Sequence, residues 1–212
     1  MKWIRRTGIA LLVLVLVVGA AAASVYEMSE RRLTTQYAVK PEAPVAVVVD
    51  SAVLDRGAHL ATALVKCVDC HGDDLGGGIV IDAPPIGHVE ATNLTSGKGG
   101  VLARYNDALL ERAIRHGIAN DGRNLLIMPS RDYNHLSDTD IAALIAYIRS
   151  RPPVDREHAP STIGPVIRAL WVAGKVIPAN AALIAHDAPH LATAHADGYR
   201  ALLARGVHAD PA

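Results

Sequence analysis

The chain has 212 residues, half of them hydrophobic, enough for one principal domain of roughly 100–150 residues plus extensions. Its 21 basic and 21 acidic residues cancel, which argues against a nucleic-acid partner or broad electrostatic attraction to a membrane surface. There is no Phe, with only six Tyr and two Trp, so a compact domain would gain from some other large apolar object at its centre.

Residues Gly8–Tyr26 form an uncharged stretch, GIALLVLVLVVGAAAASVY, preceded by Lys2, Arg5 and Arg6. At ~1.5 Å per residue it nearly crosses a hydrocarbon layer of ~30 Å. The basic flank then puts the amino terminus in the cytoplasm and everything after the span outside. Two readings stand: a retained anchor, which the length of the apolar run favours, and a signal peptide cleaved after Ala21-Ala-Ala23. Both make the rest extracytoplasmic: a bacterial inner-membrane protein with its domain in the periplasm, or a free periplasmic one. That compartment oxidises cysteine pairs unless they are chemically occupied.

Residues 27–50 read as a linker with no amphipathic period, Val47–Val49 allowing a short edge strand. Asp50 or Ser51 can cap a first helix running to about Lys66, with Val53, Leu54, Gly57, Leu60, Ala61, Leu64 and Val65 on one stripe. From Gly72 to Tyr105 no periodicity holds; Gly76-Gly-Gly78, Pro84-Pro85 and Gly97-Lys-Gly-Gly100 interrupt it. A loop so long is expected only where it wraps a bound group. Asn106 caps a second helix, Asp107 to about His116, which Gly117 closes in the left-handed conformation. Ser137, with Asp140 three residues on, starts a third, with Ile141, Leu144, Ile145 and Ile148 as its stripe and Pro152-Pro153 as its end. Ala142, Ala143 and Ala146 leave a smooth patch where Gly57 of the first helix can approach closely.

Both cysteines of the chain lie in Lys66-Cys-Val-Asp-Cys-His-Gly72. A thioredoxin-like redox pair wants a strand before the motif, and here a helix precedes. Structural zinc wants four ligands, and Cys67, Cys70 and His71 supply three. Cys-x-x-Cys-His is also the signature of covalent haem attachment. Thiols three apart on a helical turn project the same way, so both can add to the vinyl groups on one porphyrin edge while His71 ligates iron. Haem is the reading the spacing favours, against a disulfide or a partial metal site.

A haem held by His71 has one axial position left. Met28 lies against the anchor, whereas Met128 follows a loop and a helix long enough to pass round a haem. Pro129 keeps Met128 out of any helix, and methionine opposite histidine favours ferrous iron. The plain alternative for Met128 is filling a gap in the core. His59, His88, His116 and His135 are rival ligands, each read first as a surface or capping residue.

With KCVDCHG and NLLIMPSRDYNHLSDTDIAALIAYIRSRPPV in place, the sequence resembles the bacterial cytochrome c family. It looks most like the cytochrome modules of periplasmic alcohol and sugar-acid dehydrogenases over about Ala52–Pro153, with a single Cys-x-x-Cys-His here. The resemblance implies a small helical domain (51–153) around one covalent haem c. With the N-terminal transmembrane helix (1–26, anchor or signal segment) and a helical C-terminal extension (154–212), the fold class expected is mainly α. It also implies Cys67 and Cys70 as thioether donors, His71 and Met128 as axial ligands, and Asn93, Tyr105 and Arg123 near the haem edge or propionates.

In the extension, Thr162–Pro178 places Ile163, Val166, Ile167, Leu170, Trp171 and Ile177 on a broad apolar face. That face would pack back onto the haem domain, or lie on the membrane or a partner. Residues 198–204 faintly resemble 57–63. The function expected is that of an electron carrier, not an enzyme, passing single electrons from a dehydrogenase subunit or carrier to a respiratory partner. The alternative is a haem-based sensor or peroxidase-like enzyme with an open sixth position.

Overall fold

The computed structural model describes residues 2–39 and 44–192, so the 198–204 similarity lies outside the described residues. The first helix, α1 (Lys2–Thr34), is long and apolar enough to cross a membrane, and its apolar window is wholly exposed. It does not stop at Tyr26: Glu27, Glu30, Arg31 and Arg32 are good helix formers and carry it to Thr34. The stretch read as a linker also touches the domain, through Tyr37 N–H to the Gly122 carbonyl (2.9 Å) and Val45 N–H to the Glu111 carboxylate (3.2 Å). No strand forms at Val47–Val49.

Asp50 caps α2 (Ser51–His59), its carboxylate accepting from Val53 N–H at 2.8 Å. Where one helix to Lys66 was expected, α2 widens into a π turn, Leu60–Leu64, and Lys66 takes a left-handed φ of 56° before the short helix α3 (Cys67–His71). Next comes a β-hairpin where the sequence suggested only irregular chain: β1 (Gly78–Ala83) and β2 (Gly87–Ala91), antiparallel, with a bulge between Ile79 and Ile81. The bulge and the flanking Gly and Pro residues break the period-2 pattern. A two-residue strand, β3 (Thr162–Ile163), adds to β2 and gives the order β1-β2-β3.

Helix α4 (Asp107–His116) has the expected ends, the Asn106 side chain accepting from Leu109 N–H and Gly117 at φ 64°. One turn, α5 (Ser130–Tyr133), leads to α6 (Asp138–Ser150). The Ser137 hydroxyl accepts from Asp140 N–H and donates to the Asp140 carboxylate at 2.7 Å. That carboxylate also holds Arg56 of α2 at 2.8 Å. Helices α2 and α6 cross at Gly57, where a Cβ would overlap the Ala143 carbonyl oxygen, as the small residues suggested. Every residue of α6 from Asp140 to Ile148 is buried, with Ile141, Ala143, Leu144, Ile145, Tyr147 and Ile148 in the main core.

In the extension, α7 (Pro165–Val172) is shorter than the apolar run suggested. Trp171 is buried with Ile163 and Ala179 in a second, smaller core that takes in Leu33 of α1 and Leu126. Val166, Leu170 and Ile177 stay exposed. Arg168 pairs with Glu30 (3.0 Å) and lies over the Tyr26 ring, while Arg32 donates to the Trp171 carbonyl (2.7 Å). The face therefore packs chiefly on the end of α1.

Candidate functional site

Between α3, the hairpin, α4, α6 and the 123–129 segment lies a cavity of about 450 Å³ with mostly apolar walls. That is the size range of small-ligand and cofactor sites. Cys67, Cys70, His71 and Met128 all line it.

The π turn and left-handed Lys66 turn the chain so that the Cys67–His71 segment forms a single helical turn along one wall. Burial pushes the Cys67 thiol up to about 11. Cys67 is half-buried and Cys70 exposed, and the two sulfurs are not joined to each other. His71 Nδ1 lies 2.7 Å from the Thr92 carbonyl oxygen, which only accepts, so Nδ1 carries the proton and Nε2 keeps its lone pair. Burial holds the ring's pKa below the ordinary histidine value, favouring the neutral form that binds metals. This hydrogen bond also fixes the ring's orientation in the way typical of ligating histidines.

Met128 arrives by another route. Ile127 before it has a left-handed φ of 64°, uncommon for a β-branched residue. Together with Lys66 and Leu75 (φ 55°) it completes the set of non-glycine residues at positive φ among those described. All three lie near the Cys67–His71 turn or next to Met128, as strained backbone at functional sites often does. Pro129 caps α5, and one turn later the Tyr133 hydroxyl donates to the Val65 carbonyl at 2.8 Å. Tyr133 lines the cavity too, and burial raises its pKa.

Of the lower-ranked candidates, Tyr105 and Arg123 line the cavity, the Arg123 guanidinium gripping Asp121 at 2.6 Å. Asn93 does not line it. It is fully buried behind the wall, donating to the Val154 and Arg156 carbonyls and accepting from Thr95, so its role is to fasten the loop after β2 to the chain after α6. None of His59, His88, His116 and His135 lines the cavity: His88 pairs with Glu90 (2.6 Å) and Asp82 (3.2 Å), and His116 with His186 (3.0 Å). Thr92, Tyr133 and the hairpin walls Val80 and Val89 were missed. Only Tyr133, four residues after Pro129, left a signal that could have found it.

The donor set fits the haem expected from the sequence: two thiols on one turn, a neutral imidazole with Nε2 free, a thioether, and an apolar cavity.

Comparison with known proteins points the same way. Residues 52–148 match the family described as cytochrome c oxidase, cbb3-type, subunit III. The fructose dehydrogenase cytochrome subunit of Gluconobacter japonicus is 36% identical over 128 residues, covering 57% of this chain and 26% of that protein. The alcohol dehydrogenase (quinone) cytochrome c subunit of Gluconacetobacter polyoxogenes is 38% identical over 103 residues, 46% of this chain and 22% of the relative. The gluconate 2-dehydrogenase cytochrome c subunit of Pantoea cypripedii is 34% identical over 128 residues, 58% and 29%. The chain thus aligns with only about a quarter of the length of these curated relatives.

Proposed function

We propose that residues 52–148 form a cytochrome c domain with covalently bound haem c, and that the chain carries single electrons for a dehydrogenase. Cys67 and Cys70 would hold the haem as thioethers, and His71 Nε2 and the Met128 sulfur would ligate its iron. The bound haem supplies an iron that alternates between ferric and ferrous states. The protein's part is to fix both ligands, exclude water with the apolar walls and keep the His71 proton on Nδ1 through Thr92. No general acid, base or nucleophile is required. Electrons come from a dehydrogenase partner, as the relatives' names suggest, and leave to a respiratory carrier. Apolar, exposed α1 anchors the chain in the membrane with the domain on the periplasmic side.

The observation that carries the reading is the convergence of Cys67, Cys70, His71 and Met128 on one apolar cavity. Oxidised and reduced visible spectra of the purified protein test it, with Met128→Ala alongside. The expected result is a c-type reduced spectrum and a methionine–iron charge-transfer band that the variant loses. A c-type spectrum without that band in the unaltered protein would move the reading to a ligand-binding or peroxidase-like haem. Anchoring is checked by extraction: the protein should leave membranes with detergent and not with high salt.

A further inference from the structure

The Met128 segment is gripped by chain that lies outside the matched 52–148 region. On one side the C-terminal extension runs beside it. Leu126 bridges to Ala179, Ile127 N–H donates to the Pro178 carbonyl at 2.6 Å, and the Asn180 amide donates to the Met128 carbonyl at 3.0 Å. On the other side, the end of α1 and the residues after it hold the start of the segment. Gln36 bridges to Arg123, and the Asn124 amide donates to the Arg32 carbonyl at 3.3 Å. Arg32 closes the ring by donating to the Trp171 carbonyl. Ala181, next to Asn180, is fully buried, so the strap is seated on the domain.

A methionine side chain has three rotatable bonds and a soft, uncharged sulfur. Its hold on iron therefore depends on how firmly its backbone is placed. Here the backbone just before Met128 has a left-handed φ that a β-branched residue seldom adopts, and such a conformation persists only where its surroundings enforce it. The bonds to Pro178 and Asn180 are that enforcement.

We propose that the 178–181 strap is a positioning element for the sixth ligand, with Asn180 its principal side chain, so that residues beyond the cytochrome domain decide whether the iron's sixth position is closed. The proposal rests on Met128 being the axial ligand.

The test uses the full detergent-solubilised holoprotein. Asn180→Ala and the isosteric Asn180→Asp, which lacks the amide donor, are compared with the unaltered protein and with Met128→Ala. Three things are read: the charge-transfer band, the affinity of the ferric form for imidazole, and far-UV circular dichroism with the reduced c-type spectrum as folding controls. Both Asn180 variants should keep the folding controls and lose most of the band. They should bind imidazole about tenfold more tightly, the scale on which outer-shell partners affect metal ligation. Asn180→Gln, which restores an amide donor, should recover part of the band. If Asn180→Ala does not fold, Asn180→Asp answers the same question. An intact band with unchanged imidazole affinity in the folded variants would overturn the proposal while leaving Met128 ligation standing. A band that survives Met128→Ala would instead remove the ligation reading, and the proposal with it.

Discussion

The two walls that carry the candidate ligands are built in different ways. On the His71 side the machinery is local: a π turn, one left-handed residue and one helical turn, all between Leu60 and His71. A single partner from elsewhere, the Thr92 carbonyl, orients the ring. On the Met128 side the candidate ligand is held chiefly from a distance. Its segment is fastened to α1, to the 178–181 strap, and through Ser130 to the Ala113 carbonyl of α4. On the proposed function, Cys67 and Cys70 tie the haem to the first wall. The second wall can be tuned from a distance, and alterations there should reach the ligand without touching the cysteines.

The largest such effect is expected at Arg115. It is fully buried, pairing with Glu111 (3.0 Å) and Asp138 (2.6 Å) and donating to the Leu136 carbonyl (2.6 Å). Glu111 and Arg115 stand four apart on α4, and a surface pair of that spacing contributes only about 0.2–0.5 kcal/mol. Burial changes its weight. Arg115→Met takes the cation from the buried Glu111 carboxylate and leaves it only the Val45 N–H, which should cost roughly 3–5 kcal/mol. Chemical denaturation monitored by circular dichroism measures it. A loss below about 1 kcal/mol, the scale of a surface pair, would mean that this network does not secure the Met128 side.

Acid should distinguish the walls next. His116, at the end of α4, is buried against His186 of the extension, with Arg112 and Arg115 nearby. Burial and then the neighbouring histidines depress its pKa from 6.5 to about 4. The unfolded chain therefore takes up a proton before the folded one does. Stability contributed by neutral His116 is complete above pH 6.5 and is lost as pH falls toward 4. The loss should total roughly 3 kcal/mol. Trp171, buried beside the strap, offers a local fluorescence signal for it. His116→Phe should flatten the dependence; an unchanged acid slope in that variant would assign the sensitivity to other groups.

The same contrast decides what could be read from the sequence. The Asn106 and Ser137 caps, the Gly117 terminator and the Gly57 crossing are signals carried by a few neighbouring residues, and the structure reproduces each in place. Cys-x-x-Cys-His is a signal of the same local kind. The Leu126–Ala179 bridge joins residues far apart in the chain and leaves no local mark, so nothing in the sequence tied the extension to Met128. The hairpin was hidden by its bulge and by Pro84-Pro85. Asn93 shows a different limit. Family likeness suggested the haem edge for a residue whose amide and carbonyl are all spent on Val154, Arg156 and Thr95.

The smallest expected effect lies where the walls meet. Tyr133 follows Met128 by one turn, and its hydroxyl reaches the carbonyl of Val65, two residues before Cys67. This is a direct bond between the two ligand-bearing segments, made inside the core. Tyr133→Phe keeps the ring and its packing while leaving the Val65 carbonyl without that donor, at a cost of about 1–3 kcal/mol. If the walls are held independently, the variant should lose stability but keep its methionine–iron band and imidazole affinity. If the bond also keeps Met128 in register with the haem, the band should weaken along with stability. Measuring both on one sample separates the cases, because a loss confined to stability would leave the strap, and not the contact between walls, as the device that sets the sixth ligand.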